Sequence, residues 1–127
     1  TTNIMKGILR TSDTDALLEV EGLGGLRVVL PRDKEWAVDG REVMMSLRPE
    51  KIDISKTELQ GFSNQLTGVV KSIVYHGRST QYNVRLKNDF VVQVFEQNEE
   101  HFVQEVIDYD DVVNLYWQKE NVVLLER

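Results

Sequence analysis

His76 and His101 are the only imidazoles in the chain, and cysteine is absent. Thiolate nucleophiles, disulfides and Cys-based metal sites are thereby excluded, and a zinc site of the usual His-rich kind lacks ligands. Asp13-Thr14-Asp15 and Asp108-Tyr109-Asp110-Asp111 concentrate carboxylates. Neither has the central glycine and closing glutamate of a calcium loop, so both read as solvated turns. Gly22-Leu23-Gly24-Gly25 lacks the third glycine at dinucleotide spacing and precedes a strand pattern instead of a helix, which makes it a hairpin loop. There is no G-x-x-x-x-G-K-[ST] phosphate cradle, no G-x-S-x-G elbow and no H-E-x-x-H pair. With no nucleophile–base pair to assemble, no catalytic, metal or cofactor-binding residue is expected.

What remains is charge and aromatic surface. Residues 64 to 88 carry Lys71, Arg78, Arg85 and Lys87 without an acid, and residues 89 to 111 carry eight acids without Lys or Arg. Neighbouring strands and loops complementing each other explain this, with partner binding through one patch as the alternative. Tyr75 and Tyr82 lie in the basic segment, with Phe90 and Phe95 close behind, as on the stacking platforms of small barrels that hold single strands. Tyr82, however, alternates in phase with Val84 and Leu86 toward a core. The net charge of −6 also opposes phosphate-dominated binding. No nucleic-acid partner is expected.

The positioning elements are strands. Thr80, Tyr82, Val84 and Leu86 share one face while Gln81, Asn83, Arg85 and Lys87 share the other, the period of two of a half-buried strand. Asn88-Asp89 turns the chain into a second strand, Phe90 to Phe95. Similar patterns place strands at Ile4–Arg10, Ala16–Val20, Leu26–Leu30, Glu42–Leu47, Lys51–Ile54, Leu66–Tyr75, Val112–Trp117 and Asn121–Glu126. Nine or ten short strands with frequent turn signals predict an all-β fold of small barrel lobes. At most one short helix is expected, at Glu99–Ile107, capped by Asn98. No tandem repeat is evident. Lys56–Ser63 reads as a linker between lobes 1–60 and 61–127 of one domain spanning residues 1–127. The longest aliphatic run, Val122 to Leu125, is far too short to insert into a membrane.

Val43-Met44-Met45-Ser46-Leu47-Arg48-Pro49-Glu50-Lys51-Ile52 resembles the V-x-x-S-L-R-P-E-x-I signature of the transport-associated OB (TOBE) domain, found in ATP-binding subunits of ABC-type importers. Asn64 to Val70, with Gly68, followed by Ile73-Val74-Tyr75-His76-Gly77, is similar to that family's N-x-L-x-G-x-V…Y-x-G stretch. Thr2-Asn3…Gly7 and Trp117…Val122–Leu125 resemble its opening and closing patterns. The pair Asp110-Asp111 departs from the family's usual Gly-Asp.

The resemblance implies an OB-like fold and a C-terminal regulatory and dimerisation role in an ABC importer of the polyamine or iron type. Mg-ATP would then bind a separate ATPase domain. The implied partners are that domain, a second copy of the subunit and, indirectly, permease subunits on the cytoplasmic side of the membrane. The motif and interface residues carried over are Arg48, Pro49, Glu50, Ile52, Asn64, Gly68, Tyr75 and Gly77. Arg48 and Glu50, flanking a proline on an extended segment, are expected to share one side of it. A stand-alone oligonucleotide-binding module and a solute sensor near Arg48 or Arg78 are the rival functions.

Overall fold

The computed structural model describes residues 2–97 and 106–127. Ten strands follow in order: β1 (Asn3–Thr11), β2 (Ala16–Val20), β3 (Gly24–Arg27), β4 (Glu42–Leu47), β5 (Asp53–Ser55), β6 (Asn64–His76), β7 (Ser79–Arg85), β8 (Val91–Gln97), β9 (Val112–Trp117) and β10 (Val122–Glu126). Single 3-10 turns at Pro49–Lys51 and Lys119–Asn121 link β4 to β5 and β9 to β10. Alternation drives the strands: Val43, Met45 and Leu47 of β4 are buried while Glu42, Met44 and Ser46 face outward. The core joins residues from all parts of the chain, with Leu9, Leu18, Met45, Leu115 and Trp117 among its most deeply buried side chains.

The strands form two five-stranded antiparallel sheets, ordered β10-β4-β1-β2-β3 and β5-β9-β6-β7-β8. The sheets do not divide at residue 60. β5, before that boundary, belongs to the second sheet, and β10 closes the first. The all-β architecture agrees with the alternation, and the two lobes exchange their last strands.

This exchange is reciprocal and in matching register. Asn3 opposes Leu47 and Gly7 opposes Val43 in the first sheet; Asn64 opposes Trp117 and Gly68 opposes Val113 in the second. Val123 opposes Ser46 on β4, and Asp53 opposes Tyr116 on β9. The chain is thus an internal duplication, a repeat that the sequence analysis missed. Its written trace is N-x-x-x-G at Asn3–Gly7 and again at Asn64–Gly68.

Several strands start or end a residue or two from expectation, and two of these shifts have a clear local cause. The Lys51–Ile54 strand begins only at Asp53, because Pro49 presets φ for a helical first turn and Lys51 N–H donates back to Arg48 C=O at 3.0 Å. The Leu26–Leu30 strand ends its ladder at Arg27, although Val28 N–H still donates to Ala16 C=O at 3.1 Å. The expected helix at Glu99–Ile107 lies outside the described residues except at its last two positions, which are irregular.

Candidate functional site

Asn3 and Asn64 open β1 and β6, the equivalent first strands of the two halves. Both are buried, and each reaches across to the third strand of the opposite sheet. The Asn64 carboxamide accepts from Arg27 N–H at 2.7 Å and donates to Arg27 C=O at 3.0 Å. Asn3 accepts from Gln93 N–H at 2.8 Å and donates to Gln93 C=O at 2.9 Å, and donates also to Leu47 C=O at 3.1 Å. A carboxamide matches a peptide group donor for acceptor, so each asparagine acts as a one-residue strand that staples the sheets together.

Four residues on from each staple sits a glycine under close cover. A Cβ on Gly68 would meet Val84 Cγ1 at 2.5 Å and the Arg85 carbonyl oxygen at 2.8 Å. A Cβ on Gly7 would meet the Glu19 carbonyl oxygen at 2.7 Å. The reason for glycine here is space, not φ: neither residue has a positive φ. The β-bulge of this strand lies not at Gly68 but at the step between Val70 and Ser72.

The first motif lies at the exchange itself. Pro49 and Ile52 are buried anchors of the turn, and Arg48 keeps the extended geometry that a following proline imposes (φ −71°, ψ 138°). Glu50 rides the 3-10 turn instead of continuing an extended segment. Its carboxylate still comes within 3.9 Å of the Arg48 guanidinium, with both side chains in solvent (73% and 49% exposed). A pair this long and wet couples weakly. A double-mutant cycle on Arg48→Ala and Glu50→Ala, read by chemical denaturation, is expected to return an interaction energy below about 0.5 kcal/mol. A value of 1 kcal/mol or more would mean the two are desolvated by something outside this chain.

Arg48 and Glu50 line an open cleft of about 650 Å³ between the sheets with Thr2, Ser46, Ser79, Phe95 and Gln97. Ser79 begins the return strand of the β6–β7 hairpin, whose tip carries Tyr75 (74% exposed) and Gly77 in the left-handed region (φ 69°). The structure therefore brings the R-P-E turn and the tip of the β6–β7 hairpin, through Ser79, to one cleft, while Asn64 and Gly68 serve inside the fold. The cleft offers a guanidinium, a carboxylate and hydroxyls, which suits a small polar molecule. Among the described residues no group of three potential metal ligands occurs.

At the last hairpin, Asp110 holds a left-handed φ of 62° where the family pattern has glycine. Asp tolerates this conformation better than most residues but still at a cost. Asp110→Gly is expected to raise stability by about 0.5–1 kcal/mol, read as a higher urea midpoint. Asp111 is held below the ordinary carboxylate value, first by the Asp108 N–H at 2.8 Å and then by the Lys56 ammonium at 3.3 Å. Its depressed value means the contribution is present above the unfolded-state pKa and lost as pH falls through the folded one.

A family model described as the TOBE domain matches residues 45–125. The spermidine/putrescine import ATP-binding protein PotA of Thermotoga maritima is 33% identical over 129 residues, covering 98% of this chain and 34% of that protein. PotA of Thermobifida fusca is 31% identical (98% of this chain, 32% of that protein). The putrescine transport ATP-binding protein PotG of Escherichia coli is 31% identical (97% and 32%). The chain spans about a third of the length of these relatives. Among solved structures, the cytoplasmic molybdate-binding protein ModG, in a crystal form with molybdate bound, superposes with a TM-score of 0.82. It has 18% identity, over 98% of this chain and 96% of that one.

Proposed function

The chain belongs to the TOBE domain family, and from that premise we propose that it is the C-terminal regulatory and dimerisation domain of the ATP-binding subunit of an ABC-type importer of polyamines. The observation that supports this most is the alignment of polyamine-import ATP-binding proteins across nearly all of this chain but only a third of their own length. Because the chain holds no phosphate cradle, ATP binding is assigned to the part of those proteins that this chain does not span. Its partners on this reading are the ATPase domain, a second subunit and, through them, the permease at the cytoplasmic face. Tail contacts of this kind raise the effective concentration of the two ATPase domains while their faces open and close.

Uptake of labelled putrescine and spermidine, in cells making the intact subunit with or without this domain, tests the proposal. Removal is expected to lower or deregulate uptake, and calorimetry of the 127-residue chain with Mg-ATP is expected to be flat. Unchanged uptake, or an upstream reading frame without a P-loop, would overturn it. A second reading, a solute sensor, is favoured by the polar Arg48 cleft. It predicts ligand-dependent thermal stabilisation of the chain.

A further inference from the structure

The duplication supplies an internal control for the surface. Ile4, Met44, Val123 and Leu125 share the outward face of the first sheet, with Ile4 and Val123 both opposite Ser46, and Leu125 opposite Met44. The equivalent positions of the second sheet hold Gln65, Asn114, Asp53 and Ser55. These four positions are apolar in the first half and polar in the second, while Ser46 and Tyr116 reverse the contrast; Val123 is 57% exposed and Ile4 and Leu125 each 39%. In the second half this face is partly covered by the chain itself, with Ser55 and Tyr116 buried beneath the segment that follows β5, whereas the first half leaves Ile4, Val123 and Leu125 partly exposed.

The backbone says by what. Leu9 N–H donates to Arg41 C=O, on the β4 side of β1. By strict alternation Val43, Met45 and Leu47 then turn their peptide groups toward β1, whereas Met44 and Ser46 turn theirs toward β10. Val123 and Leu125 are therefore the residues of β10 that bond β4. The N–H and C=O groups of Leu124 and Glu126 point to the open side, where no partner occurs among the described residues. The other sheet edges are treated differently. Arg27 on β3 and Gln93 on β8 are capped by asparagine side chains, and β5 is three residues long and begins with an aspartate. β10 reads Val-Val-Leu-Leu-Glu, with no proline or lysine to blunt it.

A side chain serves one edge residue at a time, whereas another extended strand satisfies the whole of such an edge. We propose that two copies of this chain pair β10 against β10 antiparallel across a two-fold axis, joining their first sheets into one. This rests on the dimerisation part of the function proposed above and names the surface that carries it. With the axis at Leu124, each Leu124 exchanges both peptide bonds with its counterpart, and each Glu126 N–H donates to the other copy's Val122 C=O. Val122 N–H is already used by Lys119 C=O. Val123 then stands against the other copy's Leu125 in the close, non-hydrogen-bonded pairing, so these two exposed side chains bury part of their surface against each other. Arg127 comes beside the other copy's turn bearing Glu120, opposite in charge. The arrangement is isologous, as a two-fold contact requires.

Sedimentation equilibrium on the 127-residue chain tests this with two variants. Val123→Asp with Leu125→Ser transplants the residues of β5. Glu126→Pro removes an edge N–H that β4 does not use, on an exposed residue. A wild-type dimer is expected, with both variants monomeric, at least an order of magnitude weaker in association, and unchanged in far-UV circular dichroism. If the double variant fails to fold, Glu126→Pro alone decides. Dimers that persist in both folded variants overturn the edge pairing and leave dimerisation standing on another surface. A wild-type chain that stays monomeric into the millimolar range overturns both, while the importer assignment is judged separately by uptake.

Discussion

Gly68→Val is expected to destabilise the fold by about 3–4 kcal/mol, and Gly68→Ala by about 2–3 kcal/mol. The first atom added lands 2.5 Å from Val84 Cγ1 and 2.8 Å from a backbone oxygen of Arg85. The methyl can yield by rotating, but the carbonyl belongs to the β6–β7 ladder and cannot move without parting the strands. Relief has to come from that ladder, and valine adds two further carbons to the same space. On β-propensity alone valine would be preferred in a strand, so the sign of the effect separates the two explanations. Urea unfolding of the wild type and both variants settles the matter: midpoints unchanged or raised would show that β6 and β7 separate freely there. Gly77→Ala is the control. Nothing lies within 4 Å of its Cβ, so its left-handed φ is the whole cost, about 1–2 kcal/mol.

The second large effect belongs to the staples. Asn64→Ala removes a carboxamide that serves both peptide groups of Arg27, leaving an N–H and a C=O partly buried without partners. Each orphaned group costs about 1–3 kcal/mol, so a loss of roughly 2–4 kcal/mol is expected. Asn3→Ala should behave alike, since Gln93 stands to Asn3 as Arg27 stands to Asn64. Asn64→Asp is the sharper probe because it keeps the acceptor, loses the donor to Arg27 C=O and brings a charge into a buried place. It should be no better than alanine at neutral pH. A near-neutral Asn64→Ala, measured by denaturant midpoint at constant slope, would mean that the sheets are held by apolar packing alone.

Most strands were legible because a period of two survives wherever one face is buried, as in Thr80–Leu86 or Glu42–Leu47. The motif pieces were legible too, but their roles were not. Asn64 looked like a family marker, and only the structure reveals its job, because its partner Arg27 is remote in sequence and offers backbone, not side chain. The duplication escaped notice because little except asparagine and glycine is shared between the halves. The two prominent elements that repeat, β4 with its turn and β9 with its turn, spell Arg-Pro-Glu-Lys in one case and Gln-Lys-Glu-Asn in the other. Proline makes the first turn conspicuous, and nothing marks the second. The strand exchange is invisible locally, since which sheet a three-residue strand such as β5 joins is decided by long-range pairing. The contrast between Val123 and Asp53 acquires meaning only once the two are known to occupy the same position.

The crossed connections also decide how this domain handles force and motion. Two lobes joined by one linker would form a clamshell that opens about a hinge and closes on a ligand. Here the chain passes from one sheet to the other at Pro49–Lys51, returns at Lys119–Asn121, and is riveted at Asn3 and Asn64 besides. Opening such a body would tear β5 from β9 and β10 from β4, so no hinge is available between the sheets. A ligand in the Arg48 cleft would meet walls that the strand exchange holds in place. The two halves are therefore tied into one body, and a partner that moves one sheet moves the other with it.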